Sequence, residues 1–132
     1  MSVVKAGSVS SEFFLVRLQA VFYIIAGVVH FAVPAFYLPL IPDYIPWHRL
    51  VNILAGMAEV TLAILLLVPG FRNLASRGLV LMLIAFIPAH IHFIETGSCA
   101  SMLCVSPLIA WLRLIVVHPL LIAWAYMARK PI

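Results

Sequence analysis

A carboxylate sits near the middle of an apolar run long enough to cross a membrane. The run is Arg49 to Pro69, RLVNILAGMAEVTLAILLLVP, and the carboxylate is Glu59. A membrane-spanning helix needs about 20 mainly apolar residues. An ionisable group at that depth is costly, so it faces a bundle interior and marks a candidate functional site whose partner lies elsewhere in the chain. Asn52, Gly56, Glu59 and Ala63 recur at helical spacing, drawing one polar, small-residue stripe down an otherwise lipid-like helix. Small residues on that stripe let a neighbouring helix come close.

Three more apolar runs accompany it. The chain has 132 residues, 66% of them hydrophobic, with a mean hydropathy of +1.21, outside the range of ordinary soluble domains. The expected architecture is all-α: a polytopic membrane four-helix bundle forming a single domain over 1–132, with spans near 13–33, 49–69, 78–95 and 107–127. Met1 to Ser11 reads as a polar leader, and Ser11 with Glu12 reads as a helix start. Arg17 and Gln19, in the first turns of the span, can reach the headgroups by snorkelling. A signal peptide is the rival reading of this segment, but the apolar run exceeds a typical signal core and Val33-Pro34-Ala35 is a poor cleavage site.

Between the first two spans, Pro34 to His48 interleaves four prolines with Tyr37, Tyr44 and Trp47. Proline stops a helix and aromatics favour the membrane interface, so this segment is expected to lie as a lid over one end of the bundle. Pro69-Gly70 signals a turn, with a short basic loop carrying Arg72 and Arg77 before a third span begins near Gly78. Pro88 should kink that span and free the carbonyl of Ile84. The fourth span holds Arg113, His118 and Pro119. Lys5, Arg17, Arg72, Arg77, Arg129 and Lys130 fall on the side of the termini and only Arg49 on the other, which predicts both termini in the cytoplasm, with a bacterial inner membrane as the setting. The eight Lys and Arg form no basic run, so no nucleic-acid partner is expected.

The polar residues of the spans share one half. Counting rise per residue from the outer end, His30 and Asn52 lie roughly 5 Å deep, His92 and His90 roughly 5 to 8 Å, Arg113 about 10 Å, Glu59 about 15 Å and His118 about 18 Å. The inner half reads as almost purely aliphatic, so these groups can form one funnel from the outer surface to mid-membrane. Glu59 and Arg113 can also be a structural ion pair. His118 precedes Pro119, which frees the carbonyl of Ile115, so its imidazole can simply donate to a nearby backbone group. His90 and His92 point to different helix faces. His30 shares a face with Tyr23 and Gly27 and can act with His90 or Glu59 from another helix. No recognised metal-ligand spacing is present, so no metal is expected. Cys99 and Cys104 share the outer loop and are expected to form a structural disulfide; a redox-active pair is the alternative, although the spacing is not CxxC. Phosphate loops, serine nucleophile elbows and paired-carboxylate motifs are absent from the sequence. VVHF at Val28 to Phe31 and HIHF at His90 to Phe93 form a weak internal echo.

Four segments, AGVVHFAVPAFYLPLIPDYIPW, LAGMAEVTLAILLLVP, LMLIAFIPAHIHF and WLRLIVVHPLLIAWAY, together resemble the DoxX-like family of small four-helix membrane proteins. The resemblance rests most on His30, Phe31, Pro34, Phe36 and Tyr37, on Gly56 to Glu59, and on Arg72, Pro88-Ala89, Arg113 and Trp124-Ala125-Tyr126. It implies a four-helix bundle. The wider family includes the membrane subunit of a thiosulfate:quinone oxidoreductase, methylamine-utilisation proteins and a receptor-assembly chaperone. This chain carries His90 where the family commonly has Asn, and Val116-Val117-His118-Pro119 in place of a Pro-x-Gln element, which adds imidazoles to the funnel. The leading expectation is an accessory membrane subunit or a protein binding a quinone or lipid, linked to redox metabolism, with Glu59, Arg113, His30, His90, His118 and Asn52 as ligand-binding residues. No catalytic residue is assigned. The alternative is an assembly factor that works through helix-helix contacts with a membrane-protein partner or a second copy, the polar cluster being purely structural. A transporter is a third class, disfavoured by the aliphatic inner half.

Overall fold

A computed structural model of the chain describes residues 2–130, with side chains from residue 10 onward. Helix α1 runs over Ser2–Ala32. The expected leader is therefore helical from Ser2, and no new start occurs at Ser11; Met1 and the side chain of Lys5 lie outside what is described. Pro34 at the first turn of α2 (Pro34–Tyr37) reverses the chain, and a 3-10 turn over Leu38–Leu40 follows. Helix α3 covers His48–Leu67, entered from Trp47 with φ of 54°. A positive φ is costly for a bulky side chain. Trp47 and Tyr44 are the exposed aromatics of this connection.

The third span departs from expectation at its start. A 3-10 turn at Pro69–Phe71 leads directly into α4 (Arg72–Ala85), so the apolar helical segment runs over Pro69–Glu95 with no basic loop. Proline presets the first turn of a helix as readily as it ends one, which is why Pro69 opens this span. Helix α5 (Ile87–Glu95) follows a break at Phe86, with Pro88 in its first turn, as the expected kink requires. A two-stranded hairpin, β1 (Cys99–Ala100) and β2 (Leu103–Cys104), pairs Cys99 opposite Cys104, and the two form the expected disulfide. The fourth span comprises α6 (Pro107–Leu112), a π-helical turn at Arg113–Val117 and α7 (His118–Met127). Pro119 lacks the N–H that would bond Ile115, and the widened turn lies directly ahead of it.

Among the described residues, four helical segments are long and apolar enough to cross a membrane: Ser10–Ala32, His48–Leu67, Pro69–Glu95 and Pro107–Met127. Helix α1 packs along α3, α3 along α4 and α4 along α7. Toward the termini they close over a core of Ala20, Ala63, Leu66, Ala75, Leu79 and Ala125. Small residues let these helices approach where no water drives them together. At the distal end, Phe36 and Leu40 of the lid pack on Phe93, Ala100 and Ala110, so the proline-rich segment roofs the bundle as expected. The proximal half is not purely aliphatic. Gln19, Arg72 and Ser76 are buried there, and Gln19 does not snorkel.

Candidate functional site

The site begins with two glycines. A Cβ placed on Gly56 would lie 2.8 Å from the Cβ of His30 and 2.9 Å from the Phe31 ring; one on Gly27 would lie 2.7 Å from Cγ2 of Val60. Only glycine permits this crossing of α1 and α3. The small-residue stripe predicted on α3 thus has α1 as its neighbour.

The crossing sets three polar side chains in a row. Asn52 Nδ2 donates to the His30 carbonyl at 2.9 Å, and Asn52 Oδ1 lies 2.7 Å from His30 Nδ1. With the amide nitrogen committed to that carbonyl, the amide oxygen faces the ring, which assigns the donor role to Nδ1. The other ring nitrogen, Nε2, lies 3.2 Å from Glu59 Oε2. This contact is within ion-pair range but too oblique for a hydrogen bond, so Oε2 has no hydrogen-bonded partner among the described residues. The contact sets an imidazole nitrogen against a carboxyl oxygen, two groups able to exchange a proton. Each partner solves the other's burial, since His30 and Glu59 are 6% and 5% exposed.

Tyr37 closes the row from the lid. Its ring stacks on His30 at 3.7 Å between centroids, and its hydroxyl donates to the Ala26 carbonyl at 3.4 Å. Burial pushes the Tyr37 hydroxyl above its ordinary pKa, and the Glu59 charge pushes it the same way, so it remains a donor.

A cavity of about 360 Å³ opens between the spans beneath the lid, and His30, Asn52, Glu59, His90, Arg113 and His118 all line it. Most of its remaining wall is apolar or aromatic. His118 Nε2 lies 2.5 Å from the carbonyl of Leu83. It thus bonds a backbone group of the third span at the Pro88 break rather than the freed Ile115 carbonyl of its own helix. Its ring stands 4.5 Å from that of His90, at 63°. His92 does not line the cavity, which agrees with its opposite helical face.

The Glu59–Arg113 ion pair is not formed. Glu59 has His30 as its ion-pair contact, and the Arg113 guanidinium instead lies over the Phe93 ring, 5.1 Å from its centroid. The π turn that begins at Arg113 carries the side chain along the cavity wall rather than down to Glu59. Among the described residues no three of His, Cys, Asp and Glu converge as a metal ion requires. From the sequence, Tyr37 is an interface aromatic and one of the residues of the DoxX-like resemblance, with no place at the site; the return at Pro34, one turn beyond His30, is the signal that the lid folds onto the histidine. Tyr23, which also lines the cavity and has a buried hydroxyl without a hydrogen-bonded partner, was noticed only as sharing the face of His30.

The arrangement offers apolar walls, a pair able to give or take one proton, and a cation with no counter-ion among the described residues. The chain matches a family described as a domain of unknown function, DUF8561, over residues 19–129. No curated protein and no solved structure matches it.

Proposed function

The chain belongs to the DUF8561 family, and we propose that it is a multi-pass membrane protein that binds an apolar small molecule, a quinone or a lipid, in the cavity between its four spans. One observation carries this reading: His30, Asn52, Glu59, His90, Arg113 and His118, drawn from all four spans, converge on one largely apolar cavity. Sites for small molecules have this composition, with mostly apolar walls and a few converging polar groups that fix orientation.

In this reading the termini face the cytoplasm of a bacterial inner membrane, because Arg17, Arg72, Arg77, Arg129 and Lys130 gather at the terminal end of the spans. The resemblance to DoxX-like proteins adds the link to membrane redox metabolism, with the chain as an accessory subunit. Mass spectrometry of small molecules co-purifying with the full chain tests the reading. A specific quinone or lipid should accompany the native protein and be lost from a Glu59→Gln, Arg113→Ala double variant that still folds. An identical small-molecule profile for both proteins would refute it.

A further inference from the structure

The cavity is not sealed on its lipid side. Helix α1 packs along α3 but forms no comparable seam with α6, the π turn or α7. Phe22 on α1 and Val117 at the end of the π turn both line the cavity, yet they are 44% and 47% exposed. Residues that meet the cavity and the outer surface together mark its mouth. Closer to the termini the same two spans flank a second, smaller pocket, with Leu15 on one side and Trp124 on the other. The gap therefore follows the seam between the first and last spans.

Charge says what enters. His30 faces Glu59, whereas Arg113 has no ion-pair partner among the described residues and lies over the Phe93 ring. Its guanidinium is a permanent positive charge in the wall of a largely apolar cavity, and an anion would supply the partner it lacks. A guanidinium presents a planar fork whose two parallel N–H groups match a carboxylate. At about 360 Å³, the cavity is near the lower end of the roughly 300–1,000 Å³ found for small-molecule sites. It holds a head and the first part of one chain, not a two-chain lipid.

We propose that the seam between the first and last spans admits, from within the bilayer, a single-chain amphiphile with a carboxylate head. The head sits on Arg113, and the chain leaves between Phe22 and Val117 into the surrounding lipid. This rests on the cavity-binding reading and names the ligand class for it.

The test uses the full chain in phosphatidylcholine nanodiscs, with a diazirine-bearing palmitic acid as probe and its methyl ester as the neutral-headed control; labelled peptides are identified by mass spectrometry. The acid should label cavity-lining residues at least tenfold more than the ester. Arg113→Gln should abolish that preference, Arg113→Lys should retain part of it, and Val117→Trp should cut labelling by the acid at least tenfold. Competition on the unaltered protein, by unlabelled palmitate against hexadecanol, reads the head preference even where a variant does not fold; palmitate should win. Equal labelling by acid and ester overturns the acidic head while leaving the cavity reading intact. Absence of cavity labelling by either probe overturns both. Labelling by the acid that Val117→Trp leaves unchanged overturns the lateral mouth, as does efficient cross-linking of Val117→Cys between two copies, which would show a second chain covering the seam.

Discussion

In the distal half of the bundle His30, Asn52, Glu59 and His118 are buried around a cavity; in the proximal half Gln19, Arg72 and Ser76 are buried as deeply in a close-packed core of alanine and leucine. Both halves hold polar groups at membrane depth, and their partners differ. Ser76 Oγ donates to the carbonyl of Ala125, and Arg72 Nε donates to that of Leu66 at 3.2 Å. Leu66 lies in the last turn of α3, where carbonyls lack helical partners, so Arg72 acts as a cap and not as a free loop charge. The distal groups add side-chain contacts between helices, His30 to Asn52 and to Glu59, to the backbone bonds of Asn52 and His118, and they leave an open space between them. Depth and residue type alone therefore do not mark a site. Side chains facing each other across a cavity do.

The largest expected effect comes from filling the crossing that supports the site. Gly56→Ala brings a Cβ against the Cβ of His30 and the Phe31 ring, and the His30 Cβ, fixed to its helix, cannot yield unless α1 separates from α3. Overpacking of this kind destabilises by about 2–3 kcal/mol, and ligand retention should go with it. Gly78→Ala, at the α3–α4 contact, meets only Leu62, first its Cδ2 methyl at 2.6 Å. A rotatable side-chain end can move aside, so the loss there should stay below about 1 kcal/mol. Unfolding titrations in mixed detergent micelles compare the two. Equal losses would remove the distinction between the crossings.

Next come polar deletions in each half. Asn52→Leu strips two bonds from His30, one to its ring and one to its carbonyl, and should cost about 1.2 kcal/mol at roughly 0.6 kcal/mol per interhelical bond within membranes. It should also weaken ligand retention, because the ring that meets Glu59 loses its orientation. Ser76→Ala removes one bond to a backbone carbonyl, worth about 0.6 kcal/mol by the average for interhelical hydrogen bonds within membranes, and should leave ligand retention unchanged. Co-purified ligand, measured alongside the unfolding midpoint, separates the two kinds of burial. A ligand loss in Ser76→Ala equal to that in Asn52→Leu would show that the proximal polar groups belong to the site after all.

Much of this was legible in the chain. Spans of membrane length follow from apolar runs, and the fourth span falls at Pro107–Met127 as expected. The six candidate residues surround one cavity because depth along a helix is countable from sequence. Partner choice was not legible. Glu59 and Arg113 are opposite charges at adjacent depths, but pairing needs azimuth as well as depth, and the azimuth of Arg113 depends on a π turn that no spacing rule foretells. The start of the third span was misplaced because Pro-Gly signals a turn and a helix beginning with the same residues. Gln19 was assigned to the headgroups because its depth fitted snorkelling, but its face of α1 is the one that packs inward.

That glutamine gives the smallest and sharpest test of the contrast between halves. Its side chain is fully buried, and neither Nε2 nor Oε1 has a hydrogen-bonded partner among the described residues. A buried amide left unpaired opposes folding, whereas a leucine of similar volume carries no polar atoms to satisfy. Gln19→Leu should therefore stabilise the bundle, by about 0.5 kcal/mol when the weakness of such bonds in membranes is allowed for. Ligand retention should be unchanged, since Gln19 does not line the cavity. The opposite sign would be as informative. Destabilisation by Gln19→Leu, read as a lower midpoint in the same unfolding titration, would mean that the amide is satisfied by internal water reaching one turn below Tyr23. Polar character would then extend from the Glu59 site toward the termini, and the boundary between the two halves would lie below Gln19 instead of above it.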